Sequence, residues 1–271
     1  MKTERVTDVA DPRLAPFTKL TDMQLRMKME PAEGIFLAEG EKVIQRALAA
    51  GFEPISALME DKWLPGLRES LARHPCEVFL ADEAMLKSVT GYRLHRGALA
   101  AFRRQPLPDT SAVIRDARSL IVLEDLVDHT NVGLIFRTAA GLGVDAVLVS
   151  PQCADPLYRR SVKVSMGAVL TTPWTRAEPW PWLLDDLGSQ GFERIALTPA
   201  DDAVDIRQWV PRAPDARVAL VLGSEGRGLS DAAFRAVDTR VRIPMTQRVD
   251  SLNVAATAAI ACYVLAAGNT R

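Results

Sequence analysis

The sequence predicts an α/β protein built from two modules. Short β-type runs alternate with helix-type segments from Ile35 onward, and the rhythm breaks once, at a proline-bearing stretch between Arg103 and Arg118. It then resumes as strands separated by helices, the pattern of a mostly parallel sheet covered on both faces. With 271 residues, the chain exceeds the ~100–200 residues usual for one domain. Its 48% hydrophobic content supplies a sizeable core and excludes disorder of the whole chain. The division read from this pattern is a first module over 1–105, a linker over 106–118 and a second module over 119–271.

In the first module, strand 35–38 leads into a helix over 41–50, which Gly51 closes as a residue just past a helix C-terminus often does. Strand 55–59, a helical stretch around 67–72 and strand 77–80 follow, and Asp82 is placed to cap a helix ending near Gly91. A strand over 98–102 completes the module. In the second module the strands read as 120–123, 146–149, 194–197, 218–222 and 240–243, with helices between them. There is no internal repeat.

The formal net charge is −1, so any nucleic-acid site rests on local patches and not on overall basicity. Cys76, Cys153 and Cys262 are far apart and form no CxxC pair, which argues against a zinc knuckle, another metal site or a disulfide framework and fits a reducing cytoplasm. The charged start MKTERVTDVADPRLAP lacks the apolar core of a targeting segment. The apolar run 254–267 is shorter than the ~20 residues that span a bilayer and reads as a buried, alanine-rich helix.

In open parallel sheets, ligands bind beyond the carboxyl ends of the strands. Three segments there are chemically unusual. In LEDLVDHTNVGLIFRTAAGLGVDAVLVS a helix begins close to Asn131, and Gly133, Arg137 and Gly141 share one face, where the two glycines leave room for a backbone or a ligand. Asn131 as a helix cap and Arg137 as a solvated side chain is the plainer reading of the same residues. In LVLGSEGRGLS the glycines 223, 226 and 228 relax the backbone and expose N–H groups, while Glu225 among them disfavours a phosphate and suits a cationic or neutral ligand. The spacing is GxxGxG and no lysine follows, so neither a dinucleotide loop nor a P-loop is indicated, and a nucleotide-dependent oxidoreductase is disfavoured. In VRIPMTQRVDSLNVAATAAIACYVLAAG, Ser251 and Asn253 stand where a long apolar helix begins, and either one suits a cap.

Taken together and in order, NVGLIFRTA (131–139), GSEGRGLS (223–230) and IPMTQRVDSLNVAATAA (243–259) resemble the three signature motifs of the SpoU (TrmH-like) RNA 2′-O-ribose methyltransferases of the SPOUT superfamily. FLAEGEKVIQRALAAG (36–51) more loosely resembles the L30e-like substrate-binding domain that part of the family carries. The resemblance implies a catalytic domain with a trefoil knot, a bound S-adenosyl-L-methionine and a homodimer formed through that domain. It assigns catalytic positions to Asn131, Arg137, Glu225, Ser251 and Asn253, and cofactor contacts, largely through backbone groups, to Thr198, Pro199, Gly223, Ile243, Met245, Ser251 and Leu252. The implied activity is methyl transfer to a ribose 2′-OH of rRNA or tRNA. A catalytically inactive RNA-binding or ribosome-assembly factor on the same fold is the alternative, disfavoured because all five motif residues are present.

His129 stands beside the first motif, as a recruited base or as a polar surface residue. Phosphate contacts fall to Arg159, Arg160 and Lys163 in LYRRSVKVSMGA and to Arg93 and Arg96, with Arg103 and Arg104, near the end of the first module.

Overall fold

The computed structural model describes residues 1–94, 97–209, 216–246 and 249–268. The elements of the first half are β1 (Lys2–Arg5), α1 (Met23–Ala32), β2 (Ile35–Glu39), α2 (Glu41–Ala49), β3 (Pro54–Met59), α3 (Leu64–Ala72), β4 (Glu77–Leu80), α4 (Glu83–Thr90) and β5 (Ala98–Arg103). Then come α5 (Thr110–Ile114), β6 (Ser119–Leu123), α6 (His129–Leu142), β7 (Ala146–Val149), α7 (Arg159–Val164), β8 (Trp174–Arg176) and α8 (Leu183–Ser189). The chain finishes with β9 (Phe192–Leu197), β10 (Val204–Asp205), β11 (Arg217–Leu222), α9 (Asp231–Ala236), β12 (Thr239–Arg242) and α10 (Val254–Gly268).

Two compact units emerge, and their division is not linear in sequence. Residues 155–171 join 1–106 in the first unit, while 107–154 and 172–271 make the second. The stretch read as a linker, 106–118, holds the short helix α5, and β5 ends before it at Arg103.

The sheet of the first unit runs β1-β4-β3-β5-β2 among the described residues. Strands β1, β4 and β3 are parallel, and β5 is antiparallel to both β3 and β2. On one face Leu37, Leu58, Phe79 and Leu99 pack with Leu14, Phe17 and Leu86. Phe36 and Phe102 are cross-strand partners whose rings stack at 5.4 Å, a pair that adds ~0.5–1.5 kcal/mol beyond its burial. α2 buries Val43, Ile44 and Ala47, the spacing of one helix face.

Within this unit α7 packs on β2. The Glu39 side chain at the end of β2 is fully buried; its carboxylate is paired with Arg159 at 2.9 Å and Lys163 at 2.5 Å and accepts the Tyr92 hydroxyl at 3.0 Å. Burial alone would raise the Glu39 pKa, but the bond from Lys163 and the charge of Arg159 outweigh it and hold the carboxyl below its ordinary value.

The second unit carries a sheet ordered β10-β12-β9-β11-β6-β7-β8 among the described residues, parallel at every pairing. β6 and β7 are buried along their whole length and β11 along nearly all of it, because helices cover both faces and each strand therefore reads as a continuous apolar run. One face packs Leu120, Val122, Leu148 and Val221 against Leu183, Leu184 and Leu187 of α8 and Ala233 of α9. Elsewhere in this unit α10 packs along α6 and also meets β11. Leu123 is in register with both Leu222 and Val149. The loops that leave β6, β11 and β7 therefore start at one level, and that level positions the site.

Candidate active site

The loop from β6 into α6 is pinned at several points. Asp125 takes a left-handed φ of 53° and its carboxylate accepts the Ser150 hydroxyl at 2.7 Å, while the Ser150 oxygen accepts the Asp125 N–H at 3.0 Å. The Leu126 carbonyl accepts the Ala154 N–H at 2.7 Å. The helix starts two residues before the position read from sequence, at His129, with Asp128 as its cap; the Asp128 carboxylate accepts the Thr130 N–H at 2.6 Å. Asn131 is thus relieved of capping and lies buried in the first turn. His129 is buried as well, which removes the surface reading.

Asn131 is the middle of a chain of three polar side chains, one from each motif. At α10 the Asn253 Oδ1 accepts the N–H groups of Ala255 at 2.9 Å and Ala256 at 3.3 Å, so Asn253 caps the helix. Its Nδ2 donates to the Asn131 Oδ1 at 3.0 Å, and the Asn131 Nδ2 donates to the Glu225 carboxylate. The direction of every bond follows from chemistry. Backbone N–H groups only donate, so Asn253 presents its oxygen to the helix and its NH₂ to Asn131, which in turn presents NH₂ to a carboxylate that only accepts. Asn253 thus caps the helix with its oxygen and bonds Asn131 with its NH₂, so capping leaves the second contact open.

Glu225 is held in a tight loop. The Gly228 N–H donates to the Ser224 carbonyl at 2.9 Å, and Gly228 has a φ of 66°. A Cβ on Gly223 would fall on the backbone of Gly228 and Leu229, whereas one on Gly226 meets nothing within 4 Å. Glycine is therefore required at 223 by close backbone approach and at 228 by its dihedral, but not at 226.

Beside this loop lies a cavity of about 360 Å³, within the ~300–1,000 Å³ of small-molecule sites. Thr198, Pro199, Gly223, Ile243, Met245, Ser251 and Leu252 all line it. So do Glu225 and Arg227, with Leu197 and Leu222 at the ends of β9 and β11 and, unforeseen from sequence, Val241 near the end of the neighbouring β12. Apolar walls with a carboxylate among them suit a flat ring system joined to a cationic centre.

Arg137 does not line the cavity. It is exposed on α6 and makes no ion pair or side-chain hydrogen bond with another described residue. Along its helix face Gly133 is buried and Gly141 exposed, with nothing within 4 Å of a Cβ built at Gly141. No described residue fills the space beside Gly141.

The basic residues singled out for phosphate are differently engaged. Arg159 and Lys163 serve Glu39, Arg93 pairs with Glu83 at 2.6 Å on the surface, Arg103 pairs with Glu53, and Arg104 pairs with Asp155 at 2.6 Å in a largely enclosed position. Arg160 is exposed, and Arg96 lies outside the described residues. The cysteines are free and buried; burial pushes the Cys262 thiol up to about 12 and Cys76 to about 11, so neither is a nucleophile at neutral pH. Among the described residues no His, Cys, Asp and Glu cluster suits a metal ion, and no helix is long and apolar enough to cross a membrane.

The sequence profile of the SpoU rRNA methylase family matches residues 118–263, more than half of the chain and all of the loops just described. The chain belongs to the SpoU rRNA methylase family. Among relatives, an uncharacterized tRNA/rRNA methyltransferase of Mycobacterium bovis is 44% identical over 258 residues, covering 95% of this chain and 90% of the relative. Among solved structures, an RNA 2′-O ribose methyltransferase aligns with a TM-score of 0.76 at 28% identity, covering 98% of this chain and 99% of the other. An AdoMet-bound rRNA methyltransferase from Sinorhizobium meliloti shares the fold, with a TM-score of 0.83, 22% identity and 97% coverage of each chain. These alignments run through the first unit too, so this SpoU chain shares its two-unit α/β architecture with them.

Proposed function

We propose that the chain transfers the methyl group of S-adenosyl-L-methionine to a ribose 2′-hydroxyl of rRNA or tRNA. The observation that carries this reading is the bonded chain Asn253–Asn131–Glu225 beside a cavity lined by all seven residues assigned to the methyl donor. The solved 2′-O ribose methyltransferase, similar along its whole length, supports the acceptor, and the AdoMet-bound neighbour supports the donor. The loops from β9, β11 and β12 that meet at the cavity are those through which the trefoil knot passes in this reading. When bound, the donor supplies an electrophilic methyl on a cationic sulfur.

The protein's own part is alignment and charge. Apolar walls of Leu197, Leu222 and Val241 exclude water, and the Glu225 carboxylate, held by Asn131, favours a positive centre nearby. Arg137 grips an RNA phosphate and stabilises the developing 2′ oxyanion, because a guanidinium is a permanent cation and donor. The hydroxyl proton leaves late, to water or a phosphate oxygen. Since Arg137 stands outside the cavity of its own chain, a second copy of the chain supplies it. Leu134 on α6 and Ile260 and Tyr263 on α10, all exposed, offer the apolar face for that pairing. Exposed Arg160, with Arg93 and Arg96, contributes the local positive charge that meets RNA in the cytoplasm, whereas Arg159 and Lys163 are engaged by Glu39.

The test is incubation with total cellular RNA and methyl-labelled donor, followed by mapping of the labelled position. The expected result is one alkali-resistant 2′-O-methyl site. RNA binding without label transfer points to an assembly factor and overturns the reading. Calorimetry that detects no uptake of the donor or its demethylated product by folded protein removes it entirely.

A further inference from the structure

We infer that Glu124 is a positioning residue that clamps the glycine loop around the donor cavity. Glu124 is the first residue after β6 and is buried. Its N–H donates to the Leu222 carbonyl at 2.8 Å, immediately before the loop begins at Gly223. Its carboxylate accepts the Ser230 N–H at 2.8 Å and the Ser230 hydroxyl at 2.7 Å, immediately after the loop ends. One residue thus holds both ends of segment 223–229, the segment that presents Glu225.

The carboxylate has further work on each side. Ser230 caps α9, its oxygen accepting the Ala233 N–H at 3.2 Å while its proton goes to Glu124, so both functions of the hydroxyl are used. The Trp180 indole N–H donates to the Glu124 Oε1 at 2.8 Å and ties in the loop that follows β8. Three donors converge on a group that only accepts, and no neutral side chain of this size accepts all three. The first and second motif loops are therefore joined twice, through Glu124 at the base and through Asn131 and Glu225 at the tip.

This inference rests on the methyl-donor reading of the cavity. It is tested on the full chain with S-adenosylhomocysteine as the calorimetric probe. Glu124→Gln keeps the shape but turns an NH₂ toward a donor, and its dissociation constant is expected to rise about tenfold, the loss of one charge-assisted bond. KM for RNA stays unchanged while KM for the methyl donor rises. Amide exchange at 223–230 accelerates without added ligand, while exchange in β6 and β11 does not. Ser230→Ala, which removes one of the three donors, is expected to show the same split to a smaller degree. Wild-type protein that takes up no probe overturns the donor reading itself. A folded Glu124→Gln, or a folded Ser230→Ala if Glu124→Gln does not fold, with wild-type probe affinity and wild-type exchange in the loop overturns the clamp alone.

Discussion

Asn253→Asp isolates the direction of hydrogen bonding from everything else Asn253 does. The substitution is isosteric and keeps an oxygen for the Ala255 and Ala256 N–H groups, so the cap survives. A negative charge at the first turn of α10 adds ~0.3–1 kcal/mol of stability. Facing Asn131, however, an oxygen now replaces the NH₂ that lay 3.0 Å from the Asn131 Oδ1. Rotating the Asn131 amide moves the conflict without removing it, since its oxygen then faces the Glu225 carboxylate. The loss is one hydrogen bond, ~1 kcal/mol, plus ~1–2 kcal/mol for an acceptor left opposite an acceptor. Folding stability is expected to fall by only ~1–2 kcal/mol after the gain at the helix end. If the full 2–3 kcal/mol is felt at the transition state, kcat/KM falls ~30- to 150-fold. Urea denaturation and single-turnover methyl transfer measure the two quantities side by side. An Asn253→Asp enzyme within threefold of wild type would refute the fixed polarity of the chain.

Arg137→Ala is expected to abolish turnover while calorimetric affinity for the methyl donor stays within a few-fold, and Arg137→Lys with near-normal kcat would remove any need for the guanidinium fork. Gly223→Ala pushes a methyl into the Gly228 backbone and is expected to cost ~1–3 kcal/mol in thermal melts along with donor affinity, whereas Gly226→Ala stays within ~0.5 kcal/mol of wild type. Glu39→Gln leaves Arg159 and Lys163 without their counter-charge and is expected to cost about 2 kcal/mol at pH 7, below the ~3–5 kcal/mol of a fully buried pair because Lys163 is 42% exposed. The Glu39 pKa is depressed in the folded state, so its contribution is present above the ordinary carboxyl value of 4.5 and is lost as pH falls further. Acid titrations of the two proteins should therefore converge below that pH.

Most strands were legible because each is buried on both faces: β6, β7 and β11 are unbroken apolar runs that only a covered sheet accommodates. β1 was missed because three of its four residues, KTER, are charged and the strand is mostly exposed, so neither alternation nor apolarity marks a strand that one parallel partner holds at a sheet edge. β8 and β10 are too short, at three and two residues, to carry a period. The helix start at Asn131 was misplaced because Asp128 and Asn131 are both good caps, and only the bonds of the fold choose between them. The cavity residues were legible through the motifs, since three ordered segments had to converge. Glu124 was not, because a lone carboxylate after a strand shows no partners in sequence. Arg159 and Lys163 read as a basic patch for the same reason: their partner Glu39 is more than a hundred residues away.

That separation has a consequence during synthesis. Glu39 leaves the ribosome 120 residues ahead of Arg159. At ~5–20 residues per second, ~6–24 s pass before either of its cations exists. Until then an acid designed for the interior has nothing to offset its desolvation, so the nascent N-terminal half keeps that end of β2 wet or protonated. A polypeptide stopped at Pro106 lacks both cations and inherits this immaturity permanently.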